Sequence, residues 1–413
     1  MLTEKQKLEE IIKLGNLMTQ IKDVDILMET ILSEAKKFTQ ADAGSIYRCE
    51  ENTLYFNYTQ NNTLLKRLEP GKKLIYSTFK MPIDSKSIAG YVAETGQILN
   101  LPDVYHLPQN VPYSFNKEFD KTSDYKTTSV LTIPLKTNGD RIVGVLQLIN
   151  AQDDYGKIIP FLEEDIPLVK HFANNAAVAL ERAEMTRAII LRMIKVAELR
   201  DPKETGAHAN RVGAYSAEIY EEWATRKGID TIEIKRNKDT IRIAAMLHDI
   251  GKVAIPDAIL KKPSKLTDEE YAVMKTHACA GAQLFMNKQS ELDEMSQEIA
   301  LNHHERWDGF GYPGHVDFET AKPLPGFKLE NGKARGKEKE EISLWARIVS
   351  ISDVYDALSS RRSYKSAWTE EDVINEMVSQ AGKQFDPELI DIFVDIIDVL
   401  RSVRQKYPDE EAL

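Results

Sequence analysis

His303-His304-Glu305-Arg306-Trp307-Asp308-Gly309-Phe310-Gly311-Tyr312-Pro313-Gly314 sets two imidazoles side by side at the end of a helical stretch, then turns through glycine and proline. Adjacent donors at one backbone locus are what a site with more than one metal ion needs. Reading outward, the same chemistry recurs in order. Glu204 and His208 stand four residues apart, so a helix would present both on one face. His248-Asp249 closes the apolar run Ile243-Ala244-Ala245-Met246-Leu247, with Gly251 and Lys252 just beyond it. His277 lies in a helical segment, and Asp353 arrives on the mostly apolar stretch from Ile348 to Asp356. Five of the eight histidines belong to this series. Five unrelated core or surface histidines are the competing reading, and the flanking residues argue against it. Imidazole with carboxylate makes a hard-to-borderline N/O site suited to iron, manganese, zinc or nickel, with no thiolate to favour a zinc finger.

These donors ride on helices. Beyond Asp201 glycine and proline are confined to short turns between helical-period segments, so this half is expected to be all-α. One stretch departs from that pattern: residues 315–341 are rich in Lys, Glu, Gly and Pro and read as a long exposed loop. Lys252, Arg362 and Lys365 could supply positive charge beside the metal ligands, the last two being three positions apart.

The first half reads as α+β. An amphipathic helical stretch from Glu4 to about Leu32 precedes short alternating runs at Ala43–Tyr47 and Thr53–Tyr58. Ser129–Leu135 and Ile142–Ile149 flank Asn138-Gly139, a hairpin signal because both residues tolerate positive φ. From Glu163 to Arg200 there is no glycine, and Pro167 falls where a first helical turn tolerates it, which predicts an unusually long helix. Phe172, Ala176, Ala179, Ala183, Thr186, Ile190, Met193 and Ala197 follow alternating four- and three-residue steps along it, the seam of a parallel dimer. The alternative is packing of that face on its own domain.

At 413 residues the chain is long enough for two or three domains. A formal charge of −11 argues against sequence-independent binding of a nucleic acid polymer. The two cysteines, Cys49 and Cys279, stand far apart and suggest a reducing compartment. No apolar run approaches a membrane span and the opening residues are charged, so a cytoplasmic location is expected and no membrane partner.

The second half resembles the HD-GYP family of bacterial cyclic dinucleotide phosphodiesterases, a branch of the HD metal-dependent phosphohydrolases. The resemblance covers about Asp201 to Leu400. It rests on Thr205-Gly206-Ala207-His208 with Arg211-Val212, on His248-Asp249-Ile250-Gly251-Lys252 with Ile255-Pro256, and on the block from His303 to Pro313. Asp353-Val354-Tyr355-Asp356-Ala357-Leu358 and Gly382-Lys383-Gln384-Phe385-Asp386-Pro387 complete it. It implies an all-α fold around a di- or trinuclear non-haem iron centre, manganese being the usual substitute. Position by position, it implies that His208, His248, Asp249, His277, His303, His304 and Asp353 are metal ligands. Glu204 matches the carboxylate that accompanies a third metal in some members. Lys252 matches the lysine on the scissile phosphate, Arg362 and Lys365 the basic pair on the substrate phosphates, and Tyr312 the tyrosine near the guanine; Lys252 and Asp249 are thus the expected catalytic residues. Phosphodiester hydrolysis needs an activated water and cations near the phosphoryl oxygens, and this residue set offers both. Between Tyr312 and Asp353 the chain exceeds a typical member by the 315–341 loop, either an inert surface insertion or a lid.

Residues from about Asp23 to Leu180 resemble a GAF domain, an antiparallel sheet with flanking helices that senses small ligands. Ser87–Gly96 and the hairpin carry that likeness. Phe115-Asn116-Lys117-Glu118-Phe119-Asp120 with Tyr125-Lys126-Thr127 is similar to the segment of cyclic-nucleotide-binding members, which carry an acid where Lys121 stands here. Cys49, His106 and His171 are the available haem ligands, each without a supporting motif. The organisation expected is an N-terminal helix over 1–22, a GAF sensor over 23–165, a connector helix over 166–200 forming a dimeric coiled coil, and an HD-GYP catalytic domain over 201–413. The expected reaction is hydrolysis of cyclic di-GMP to pGpG, with further cleavage to GMP left open, under control of the sensor. Another cyclic dinucleotide, 3′,3′-cyclic GMP-AMP, is the alternative substrate, and a non-catalytic cyclic di-GMP receptor the alternative class.

Overall fold

The computed structural model describes residues 14–15, 18–67, 80–198, 206–359 and 368–408, which divide into two compact units at Arg187/Ala188. The expected N-terminal helix over 1–22 lies largely outside the described residues. Within them, the stretch from Glu4 to Leu32 is not one helix. Residues 21–23 are not helical, and Asp23, extended, caps a fresh helix, Val24–Thr39, by accepting the N–H groups of Asp25 at 2.9 Å and Ile26 at 3.1 Å. Periodicity alone runs across such a break, whereas an aspartate cap stops it.

In the first unit, seven strands form one antiparallel sheet in the order β3-β2-β1-β6-β5-β4, with β7 paired to β6. They span β1 Ala41–Glu50, β2 Thr53–Asn61, β3 Lys80–Pro82, β4 Leu99–Leu101, β5 Val130–Lys136, β6 Ile142–Gln152 and β7 Ile158–Ile159. Ile46 pairs with Leu146, and their side chains join the cluster containing Leu27, Ile31 and Leu32 of the Val24–Thr39 helix. Their chain neighbours Tyr47 and Val145 face the other way and pack with Val92 of the helix Ile88–Thr95. The period of two thus gives the sheet an apolar cluster on each face. The expected hairpin is present between β5 and β6, but its left-handed residue is Asp140, at φ 59°, rather than Asn138 or Gly139. Thr137 and Asp140 close the turn through backbone hydrogen bonds, so one aspartate takes the strained position.

The long helix spans Ile166–Glu198, 33 residues. Its expected dimer seam is corrected in its first part. Phe172, Ala176, Ala179 and Ala183 are buried in the first unit's own core, where small side chains let the sheet and the Val24–Thr39 helix approach closely. Ile190 is buried among Ala209, Ile243 and Met246, while Met193 is exposed. The exposed apolar row is instead Val178, Met185, Ile189 and Val196.

The second unit is helical, built mainly from Gly206–Arg226, Thr231–Met246, Glu291–Asn302, Leu344–Ser359 and Pro387–Asp395. Its core joins Val212, Tyr215 and Ile219 to Ile241, Ile348, Ile351, Tyr355, Leu389 and Phe393. Gly213 lets the first two of these helices cross closely, since a Cβ there would lie 2.4 Å from the carbonyl oxygen of Arg242. The only strands of this unit among the described residues are Val316–Asp317 and Lys322–Pro323, paired within the 315–341 stretch. No helix among the described residues is long and apolar enough to cross a membrane.

Candidate metal centre

Helix ends deliver the donors. His248 and Asp249 follow the C-terminus of Thr231–Met246, and the chain then tightens into the 3-10 turn Ile250–Ala254. Gly251 is required for close approach rather than for turning. Its φ is not left-handed, but a Cβ there would lie 2.0 Å from the carbonyl oxygen of His277. That contact brings the His248-Asp249 pair against the helix His277–Gln283. His303 and His304 follow the helix Glu291–Asn302, and His208 and Asp353 come from the helices Gly206–Arg226 and Leu344–Ser359.

Two donor clusters result. Asp249, His277, His303 and His304 offer ligand atoms within 4.8 Å of one another, and so do His208, His248 and Asp353. All seven expected ligands that are described fall in one cluster or the other. Asp249 Oδ1 lies 3.2 Å from His277 Nε2 and 3.6 Å from His303 Nε2, while Oδ2 lies 3.3 Å from His248 Nε2. Asp353 Oδ1 stands 3.6 Å from His208 Nε2 and 3.9 Å from His248 Nε2. Glu204, Arg362 and Lys365 lie outside the described residues.

The inner atoms are prepared for cations. Asp249 Oδ1 and the Nε2 atoms of His277 and His303 are buried without a hydrogen-bond partner among the described residues, a costly state unless an ion satisfies them. The opposite ring nitrogens are anchored. Nδ1 of His248 meets the carbonyl of Ala245 at 2.8 Å, that of His277 the carbonyl of Met274 at 2.8 Å, and that of His303 the carbonyl of Ile299 at 3.0 Å. An Nδ1–H donated outward leaves Nε2 as the lone-pair ligand. Burial holds His303 below its usual range, and burial with the neighbouring His303 and His277 holds His304 well below it, which favours the neutral form of both rings. Burial opposes the charge of Asp249, yet the Lys252 ammonium at 2.6 Å and the His248 ring hold its carboxyl well below the ordinary range.

Three supporting residues carry no role in the sequence reading. Asp356 accepts from Nδ1 of His208 at 2.8 Å and from Arg211 through Nε at 2.5 Å and Nη2 at 2.9 Å. It stands three residues after Asp353 on the same helix, and that spacing was the available signal. Glu305 is buried and accepts the backbone N–H groups of Gly314 and Lys337. Burial pushes its carboxyl up to about 7. Lys337 also donates to Asn302 Oδ1 at 2.8 Å, so the 315–341 stretch is fastened to the residues flanking His303-His304. Gly336 approaches Gly309 so closely that a Cβ would lie 2.1 Å from its carbonyl oxygen. Gly311 likewise lets the turn fold back on Glu305-Arg306, and Tyr312 then stacks on His304 at 4.7 Å between ring centroids.

In the first unit, Asp120 of the cyclic-nucleotide-like segment is committed within its own chain. It accepts from Thr127 N–H and Oγ1, each at 2.8 Å, and from Tyr105 Oη at 2.9 Å. Cys49, His106 and His171 join no cluster of metal donors among the described residues.

Residues 23–180 match the GAF domain family, residues 205–358 the HD domain family, and residues 329–389 a second HD domain family. The chain therefore carries a GAF domain followed by an HD domain. It is 34% identical over 235 residues to the 3'3'-cGAMP-specific phosphodiesterase 2 of Vibrio cholerae, covering 57% of this chain and 39% of that protein. It is 36% identical over 222 residues to a cyclic di-GMP phosphodiesterase of Thermotoga maritima, covering 54% of this chain and 52% of the relative. A third relative is the cyclic di-GMP phosphodiesterase response regulator RpfG of Xanthomonas campestris, 36% identical over 51% of this chain and 48% of its own. The chain thus spans about half or less of the length of these relatives.

Proposed function

We propose that this chain, a GAF domain joined to an HD domain, is a metal-dependent phosphodiesterase that hydrolyses cyclic di-GMP to linear pGpG and onward to GMP. The observation that carries the reading is the pair of donor clusters that meet at the consecutive residues His248 and Asp249. Five imidazoles and two carboxylates fit non-haem iron, with manganese as its substitute, and Glu204 would add a carboxylate for a third ion. When bound, such ions acidify water and neutralise charge on a phosphodiester.

The chain's own residues do the rest. Asp249 would bridge the clusters while Lys252 holds its second oxygen and reaches the scissile phosphate. Asp356 keeps the His208 ring in the tautomer that ligates through Nε2. Tyr312 would place a guanine against the His304 side of the site. Arg362 and Lys365 would grip the substrate phosphates. Water adds to phosphorus, the P–O3′ bond breaks, and the released 3′-oxygen takes a proton, leaving a 5′-phosphate. The GAF domain would bind a small ligand, a cyclic nucleotide among the candidates, and act through the Ile166–Glu198 helix of a cytoplasmic homodimer.

The names of the relatives favour both cyclic di-GMP and 3′,3′-cyclic GMP-AMP, so the second remains the alternative substrate. Turnover of each by anaerobically purified protein with Fe(II) or Mn(II), beside the His248→Ala variant, tests the proposal. Hydrolysis lost in the variant is expected. Binding without turnover in the metal-loaded protein would instead make it a receptor.

A further inference from the structure

A second aromatic residue and a lysine stand beside the Asp249/His277/His303/His304 cluster with no role in the reading so far. The short helix Asp268–Met274 begins at Thr267 with a capping box closed by Glu270, which fixes its rotation. Tyr271 and Lys275 are four residues apart and share its face. The Lys275 ammonium lies 4.6 Å from the centre of the Tyr271 ring and 5.0 Å from that of Tyr312. The two tyrosines stand 6.4 Å apart at 78°, and Tyr312 in turn stacks on His304. Tyr271 is 46% exposed, so much of its surface has no protein neighbour. No carboxylate pairs with Lys275 among the described residues, whereas Lys252 has Asp249 and Lys262 has Glu270.

A half-buried cation held only by two π faces, beside a metal centre and an exposed ring, is a chemistry awaiting an anion and a planar group. We infer that Tyr271 and Lys275 form a binding subsite for one purine nucleotide of the substrate, the ring stacking on the base and the ammonium contacting a phosphate oxygen. This rests on the cyclic dinucleotide reading and deepens it, because Tyr312 alone provides a wall for one base while the substrate has two. The T-shaped arrangement of the two tyrosines gives the two bases differently oriented supports.

A competing structural role, in which Lys275 only steadies Tyr312, is separated by Tyr271→Ala, which leaves the Lys275–Tyr312 contact in place. Lys275→Met keeps the aliphatic stem and removes the charge; Lys275→Arg restores charge and the aromatic contact. Full-length protein and the variants Tyr271→Ala, Tyr271→Phe, Lys275→Met and Lys275→Arg are compared in two assays. One is equilibrium binding and steady-state hydrolysis of cyclic di-GMP. The other is hydrolysis of bis(p-nitrophenyl) phosphate, a phosphodiester without a purine.

Tyr271→Ala and Lys275→Met are expected to weaken cyclic di-GMP binding about tenfold and raise KM with little change in kcat. Tyr271→Phe and Lys275→Arg are expected to stay near the parent, and the purine-free substrate is expected to be cleaved equally by the parent and both Tyr271 variants. Unchanged dinucleotide binding in the two disruptive variants overturns the subsite. A parallel loss on both substrates in Tyr271→Ala overturns it too, because it marks damage to the metal centre. Dinucleotide binding without turnover in the parent sinks the phosphodiesterase proposal while leaving the binding comparison decisive for the subsite; no dinucleotide binding at all overturns both.

Discussion

Nδ1 of His208 and the carboxylate of Asp356 meet at 2.8 Å in a fully enclosed contact that Arg211 completes from the other side. The aspartate never faces the donor cluster, yet it determines which ring nitrogen of His208 does. Asp356→Asn keeps an acceptor for Nδ1 but leaves the Arg211 guanidinium buried beside a neutral group. Metal affinity is expected to fall about 10–100-fold, read by competition with a chelator. Stability is expected to fall by about 3 kcal/mol, read by urea unfolding of the metal-free protein.

The 315–341 stretch behaves as a brace. Its Lys337 and Gly336 hold Glu305, Asn302 and Gly309, and the turn they enclose ends in Tyr312. Gly336→Ala would force a methyl group against the Gly309 carbonyl. It is expected to destabilise the second unit by about 1–3 kcal/mol and to raise KM, as measured by thermal unfolding and steady-state kinetics. An unchanged KM would return the stretch to the status of an inert insertion.

Lys36 is largely buried, and its amine donates to Asn62 Oδ1 at 2.8 Å. Burial lowers it from 10.5 to about 8, with Asp42 opposing that shift. Because the folded value lies below the unfolded one, the unfolded chain binds more protons between these two limits. Stability is therefore expected to rise between about pH 8 and pH 10.5 from this group. Lys36→Met should be more stable than the parent at pH 7, by at most on the order of a few kcal/mol, and should lack that rise. Urea midpoints at the two pH values compare them.

Val178, Met185, Ile189 and Val196 repeat at steps of seven, four and seven along the exposed side of the Ile166–Glu198 helix. If the chain dimerises through parallel helices, these residues and not Phe172 or Ala176 form the contact. Met185→Cys is then expected to cross-link to its twin under mild oxidation, whereas Phe172→Cys is not. Ile189→Glu is expected to shift the protein toward monomer in sedimentation.

The metal centre was legible because its donors are chemically scarce. His248-Asp249 and His303-His304 can be picked out without knowing where helices cross, and all seven described donors fall into the two clusters. The supports were less legible, since Asp356, Glu305 and Lys275 belong to common residue types whose role depends on what faces them in space. Gly251 belongs with them. Its need arises from the His277 carbonyl 26 residues further along the chain, a proximity no local pattern contains. The helix Ile166–Glu198 shows the same boundary from the other side. Its length followed from the missing glycines, but the face turned inward was decided by the sheet that covers it. Ala176 and Val178 look equally apolar on paper, and only tertiary packing separates them.

His248 and Asp249 are joined by a single peptide bond, yet each serves a different cluster. A rotation of that peptide that would improve the fit for an ion in one cluster would also redirect the donor offered to the other. The two positions cannot be tuned separately by evolution or by an engineer who alters the preceding helix. Choosing a new metal for this scaffold means remaking both halves of the cage at once.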